Sequence, residues 1–297
     1  REVAAECERR GPDGDGAAGA VATRALAVPT DVSDEAQVEA LAATAVERFG
    51  RVDVWVGAAA SWSQGRFEDT PAHVFDQVVR TTLLGQTYGA RAVLPVFRRQ
   101  GSGVLVVVSS LYGELSAPYV APYVAAKWGL TGFAEVLRHE LRGVAGIHVC
   151  TVLPGTVDTP IYRHAAVYLG REIRPLPPVT SPERVARAVL AAADRPRRRV
   201  VVGQTQRAAV WVHHLLPAVF DRVVGPAVHR FGLRREPTPP RDGNVLEPAG
   251  AGAGPVSDGW RRHDHRRVAA VALPAVAVAA GTAAGLRRLR GALRLRT

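Results

Sequence analysis

Apolar residues fall along this chain in two periods, and they alternate. Val104 to Val108 is a short, β-branched, unbroken apolar run bounded by Gly103 and two serines, which predicts a strand buried on both faces. Val52–Val56, Ile147–Leu153, Val200–Val202 and Arg24–Pro29 also read as strands. Between them lie helix-period stretches at Asp34–Phe49, Pro71–Arg99 (interrupted near Gly85), Pro122–Arg142 and Pro182–Asp194. Strands alternating with amphipathic helices predict an α/β fold, a doubly wound parallel sheet with helices on both faces. The pattern then changes. Ala208–Phe231 is amphipathic with interruptions at Pro217 and Gly225, and Glu236–Asp258 is rich in Pro and Gly and reads as a linker. Val268–Leu286 is nineteen residues without a charge, flanked by arginines. That is long enough to span a bilayer, and a transmembrane helix is expected there; the competing reading is an interfacial or soluble helix with basic flanks. The expected divisions are 1–203, a helical extension 204–235, a linker 236–267, a spanning helix 268–286 and a basic tail 287–297.

Composition sharpens this picture. The net charge is +11, but nine arginines and one aspartate from Trp260 to Thr297 supply +8 of it. The basic character is thus a feature of the tail, and no nucleic-acid face is expected on the α/β unit. Two cysteines, Cys7 and Cys150, are too few for a disulfide framework and fit a reducing, cytoplasmic setting. His213 and His214 are adjacent and face different ways, so no metal site is expected. The chain has no methionine and opens in a helix-like stretch, Arg1–Arg10. The expectation is that it starts inside its domain, lacking a first strand, a Gly-rich turn and about one βαβ unit of roughly 30 residues. Gly14-x-Gly16-x-x-Gly19 spells a dinucleotide fingerprint, but a helix precedes it and a strand follows, the reverse of what places a pyrophosphate at a helix N-terminus.

The chemistry concentrates in Ser109–Lys127. Tyr123 and Lys127 are four apart on a predicted helix and share a face; Ser110 lies in the turn after the Val104–Val108 strand, at the edge where parallel sheets present reactive groups. A free tyrosine has a pKa of about 10, and lowering it by ~3 units takes about 4 kcal/mol of preferential phenolate stabilisation. A lysine one turn away supplies such stabilisation. Composition singles this lysine out. Of 38 Lys plus Arg residues, Lys127 is the one lysine, and a guanidinium does not replace a compact ammonium beneath a phenolate.

With this Ser–Tyr–x–x–x–Lys spacing, Asp31-Val32 after a predicted strand, and Pro154-Gly155-Thr156-Val157-Asp158-Thr159 after another, residues 1–203 resemble the short-chain dehydrogenase/reductases. The resemblance implies a Rossmann-like fold binding NAD or NADP and a reaction interconverting an alcohol with a ketone or aldehyde. It implies that Tyr123 exchanges the proton, that Lys127 lowers its pKa and binds the ribose, and that Ser110 orients the substrate oxygen. Asp31 and Val32 hold the adenine; Pro154, Gly155, the backbone near Val157 and the Thr159 hydroxyl meet the nicotinamide. Two slots depart from the family pattern. Gly57-Ala58-Ala59-Ala60 stands where Asn-Asn-Ala-Gly is usual, so Ala58 and Ala59 approach the cofactor without an amide. Thr82 stands where an asparagine supports a water relay to the lysine. Pro160–Pro178, with Tyr162, His164 and Tyr168, resembles the variable lid over the substrate. The expected partners are a small lipophilic substrate, a membrane held through the tail with the catalytic unit facing the cytoplasm, and a second copy of the chain. The alternative is a catalytically weak nucleotide-binding or scaffold protein of this fold at a membrane.

Overall fold

A computed structural model describes residues 25–247 and 256–263. Helix α1 (Glu35–Phe49) leads into strand β1 (Val54–Gly57) and a two-residue strand β2 (Ser63–Gln64). Helix α2 (Ala72–Val79) passes through a π-helical turn (Arg80–Leu84) into α3 (Gly85–Gln100), and strand β3 (Gly103–Val108) follows. A 3-10 turn (Leu111–Gly113) precedes α4 (Ala121–Glu140) and β4 (Ile147–Pro154). Then come β5 (Ala166–Val167), β6 (Arg171–Ile173), α5 (Pro182–Asp194), β7 (Arg199–Val202), α6 (Gln204–Leu215), α7 (Pro217–Ala227) and β8 (Leu233–Pro237).

The main sheet is parallel throughout, in the order β1-β3-β4-β7, so the carboxyl ends of all four strands lie along one edge. Its two faces explain the apolar strands. Leu105 and Val107 of β3, with Ile147 and Val149 of β4, pack against Ala90, Val93 and Phe97 of α3 and Leu130, Ala134 and Leu137 of α4. The alternate residues Val106, Cys150 and Val152 turn to the other face and meet Ala192 of α5. A strand covered on both sides carries apolar side chains at every position. Two glycines allow close approaches around the start of β3. A Cβ on Gly103 would lie 2.2 Å from the Phe97 ring, and one on Gly146, at φ 82°, would lie 2.3 Å from the Gly101 carbonyl oxygen.

Three expectations change. Residues 25–30 carry no strand pairing; a strand is defined by a neighbour, and β1 has its one described partner in β3, leaving Val54 and Val56 exposed at 38% and 43%. The cap of α1 is Asp34, whose carboxylate accepts from Ala36 N and Gln37 N. Gly225 lies inside α7, and only Leu216, before Pro217, breaks the pair of C-terminal helices. The region read as a linker is anchored where it is described. β8 pairs antiparallel with β6, Arg241 bridges Val167, and Val245 is 4% exposed within an aromatic cluster. Among the described residues no helix is long and apolar enough to cross a membrane; the run 268–286, the tail 287–297 and the opening stretch 1–24 lie outside them.

Candidate active site

Ser110 begins the turn that follows β3, and its Oγ accepts from Tyr112 N at 3.1 Å. Helix α4 starts with Pro122 in its first turn, a position where the missing N–H costs nothing. One turn on, Tyr123 and Lys127 face inward; they are 7% and 2% exposed, and Ser110 is 8% exposed. The Lys127 Nζ donates to the Val108 carbonyl at 2.8 Å and lies 5.5 Å from the centre of the Tyr123 ring. The Ser110 hydroxyl lies beside the Tyr123 hydroxyl and favours its ionised form. The three residues therefore meet at the carboxyl edge of the sheet.

Burial governs their electrostatics. It pushes Lys127 down to about 7 and pushes the Tyr123 phenol up, against the opposing effect of the Ser110 hydroxyl. A phenolate is lowered by a nearby cation, but this lysine is itself desolvated and ready to lose its charge. Without cofactor, burial dominates at Tyr123 and the group is a neutral proton donor. Tyr112, alongside, is pushed up to about 12 by burial.

Thr82, fully buried in the π-helical turn, has its Oγ1 between the Ser61 N–H, from which it accepts at 3.1 Å, and the Ser61 carbonyl, to which it donates at 3.3 Å. It pins the loop after β1. The amide missing from the Gly57-Ala58-Ala59-Ala60 slot has a counterpart on α3. Gln86 Nε2 reaches the carbonyls of Ala59 and Val108, at 3.4 Å each, and a Cβ on Gly57 would lie 2.7 Å from Gln86 Oε1. Asp31 is on the surface, its carboxylate accepting from Ser33 N and Ser33 Oγ at 2.9 and 2.8 Å. Val32 packs on Gly85, where a Cβ would lie 2.7 Å from the Val32 oxygen. Pro154 ends β4, Gly155 N donates to Val202 O at 2.8 Å, and Val157 bridges Thr180. Thr159 N donates to Val157 O at 3.0 Å, turning the chain toward the lid.

Three aromatic residues that the sequence did not single out as site residues enclose the catalytic candidates. Trp62 packs on Tyr123 with ring centroids 4.4 Å apart, Tyr112 meets Tyr123 edge-on at 6.2 Å, and Tyr162 meets Trp62 at 5.6 Å. Trp62 is 4% exposed and its indole N–H has no acceptor among the described residues. No periodicity marks these residues, because they converge from the loop after β1, the turn after β3 and the lid. His164, in that lid, is half-buried.

The family profile described as short chain dehydrogenase matches residues 2–166. The chain is a short-chain dehydrogenase/reductase. An uncharacterized oxidoreductase, YxnA, of Bacillus subtilis is 32% identical over 262 residues, covering 86% of this chain and 73% of that protein. Dehydrogenase/reductase SDR family member 7B of Danio rerio is 31% identical over 202 residues; the chain spans 65% of its length, and 66% of the chain is covered. Among solved structures, a short-chain dehydrogenase from Streptomyces avermitilis superposes with a TM-score of 0.56 at 28% identity, covering 67% of this chain and 78% of its own. As a short-chain dehydrogenase/reductase the protein is an oxidoreductase of CH–OH groups that works with NAD(P).

The sheet edge fits such a cofactor on its own chemistry. Gly57, Ala58 and Ala59 keep the end of β1 free of bulk. Lys127, buried with one acceptor among the described residues, has two further N–H donors for ribose hydroxyls.

Proposed function

We propose that this oxidoreductase interconverts a lipophilic alcohol and its ketone or aldehyde, with Tyr123 as the proton-transferring residue. The observation that carries this reading is the buried meeting of Ser110, Tyr123 and Lys127 inside a wall of Trp62, Tyr112 and Tyr162. An aromatic, water-excluding wall favours an apolar substrate body. NAD(P), when bound, supplies or takes up the hydride. Lys127 would hold its ribose; Pro154, Gly155, Val157 and Thr159 would hold its nicotinamide end, and Asp31 and Val32 its adenine end. In reduction, Ser110 Oγ and the Tyr123 hydroxyl both hydrogen-bond the carbonyl oxygen. The Tyr123 O–H passes its proton to that oxygen as negative charge develops there, and a protonated Lys127 stabilises the phenolate that results. In oxidation the same hydroxyl group, deprotonated, receives the alcohol proton.

The lipophilic substrate also agrees with residence at a membrane, proposed from the apolar run Val268–Leu286, with the catalytic unit on the cytoplasmic side. The test of the chemistry is Tyr123→Phe, assayed with NADH and NADPH against an apolar ketone. The expected result is a loss of about 10²–10⁴-fold in kcat, with cofactor affinity within twofold of wild type. Unchanged turnover in that variant would remove Tyr123 from the mechanism. A wild type that binds cofactor tightly but turns over no carbonyl compound would favour the nucleotide-binding or scaffold role.

A further inference from the structure

Asp158 sits in the Pro154–Thr159 turn and is 2% exposed, yet it serves none of the steps above. Its carboxylate is filled by a segment about 100 residues away in sequence. Oδ1 accepts from Asp258 N at 3.1 Å and from Trp260 N at 3.0 Å; Oδ2 accepts from Ser257 Oγ at 2.9 Å and from Arg261 N at 3.4 Å. Three backbone N–H groups and a hydroxyl converging on one buried carboxylate form a strong, geometrically specific clasp. The segment is tied down twice more. Asp258 pairs with Arg163 of the lid, and the Arg234 guanidinium stacks on the Trp260 ring at 5.3 Å.

The clasp places Trp260 at the end of an aromatic series. Tyr123 meets Trp62, Trp62 meets Tyr162 at 5.6 Å, and Tyr162 meets Trp260 at 6.3 Å. Beneath Trp260 lies a cavity of about 210 Å³ bounded by Tyr162, Ile173, Arg163, Arg234, Asp258 and Trp260. Its charges are matched within its walls, Arg163 with Asp258 and Arg234 with Glu172 at 3.1 Å. Tyr162, Ile173 and Trp260 supply its apolar surface, and the Trp260 indole N–H is buried without an acceptor among the described residues.

We propose that residues 256–261 form a strap, fastened by Asp158, that walls the outer end of the substrate compartment. The cavity beneath Trp260 then receives the apolar part of a ketone or alcohol remote from its reacting carbon. Asp158 is a positioning residue, and Trp260 a specificity-determining one. The inference rests on the oxidoreductase reading for its substrate half and on geometry alone for the strap.

Two measurements test the halves separately. Hydrogen exchange of the peptide 256–263, with no substrate present, is expected to show protected amides in wild type. Protection should fall at least tenfold in Asp158→Ala, and partly in Asp158→Asn, which retains one acceptor oxygen. Steady-state reduction of 2-undecanone and 2-butanone is then compared. In Trp260→Ala the ratio of kcat/KM for the long over the short ketone should fall about tenfold, mostly through KM. Exchange that is fast in wild type or indifferent to Asp158→Ala overturns the strap. An unchanged ketone ratio in Trp260→Ala overturns the wall. Failure of the wild type to reduce either ketone overturns the substrate reading itself, and the exchange arm, which needs no substrate, still decides the strap.

Discussion

Lys127 occupies a place where a cation is costly. It is 2% exposed, with the Val108 carbonyl as its acceptor, and burial brings it down from 10.5 to about 7. Between these values the unfolded chain binds a proton that the folded chain does not. Stability therefore rises with pH across this window, by up to about 1.4 kcal/mol per unit. Below about 7 both states hold the proton and the contribution is flat. Tyr123, pushed up by burial, acts in the opposite sense above the ordinary tyrosine pKa of about 10, where the unfolded chain loses its proton first. Urea unfolding without cofactor should thus show stability climbing from pH 7 to 9, and Lys127→Met should flatten that climb. Thr82 gives a second residue-scale outcome. Its hydroxyl is the partner of both Ser61 backbone groups, so Thr82→Val leaves a buried N–H unpaired. The expected cost is about 1–3 kcal/mol, read as a lower Tm. A variant with wild-type Tm would show that the Ser61 groups find other partners.

Elements were legible where burial alone determines the pattern. Val104–Val108 is apolar throughout, and Ile147–Leu153 apolar but for His148 and Thr151, because both sheet faces are covered by helices, and the predicted helix Pro182–Asp194 has the same bounds in the structure. Arg24–Pro29 reads as a strand in the sequence, but a strand also needs a neighbour, and composition does not say whether one is beside it. The triad was legible because a helix imposes its i, i+4 spacing. Trp62, Gln86 and Tyr162 were not, since only the folded chain brings them to Tyr123 or to the sheet edge. The loss of the amide at Ala58 and Ala59 looked like a deficit until Gln86 reached the Ala59 carbonyl from another element. The contact between α3 and β3 supplies a test at this scale. A Cβ on Gly103 would lie 2.2 Å from the Phe97 ring, in a core with no room to yield. Gly103→Ala should cost about 1–3 kcal/mol by overpacking, and Phe97→Leu in the same chain should recover part of it. Additive losses in the double variant would show that the ring is not what the methyl meets.

For the whole molecule, the strap changes where the chain divides. The Pro- and Gly-rich stretch up to Asp258 reads as a tether that could be cut anywhere, yet Ser257, Asp258, Trp260 and Arg261 are fastened to Asp158 beside the active site. A cut before Val256 removes part of the proposed substrate compartment along with the tail, whereas a cut before Asp264 removes only the arginine-flanked apolar run and its basic end. The two truncations separate anchoring from catalysis. Tethering at a bilayer raises the local concentration of a substrate that partitions into lipid without adding any contact to the site. Loss of the tail alone should therefore act on location and not on the ketone preference. Removing 264–297 is expected to move the protein from the membrane pellet to the supernatant and to leave the ratio of kcat/KM for 2-undecanone over 2-butanone, measured in detergent-free buffer, unchanged. Removing 256–297 should release the protein equally and also lower that ratio about tenfold, as Trp260→Ala does. A full chain already in the supernatant without detergent would discard the anchor, and equal ratios in the two truncations would discard the strap as a wall of the site.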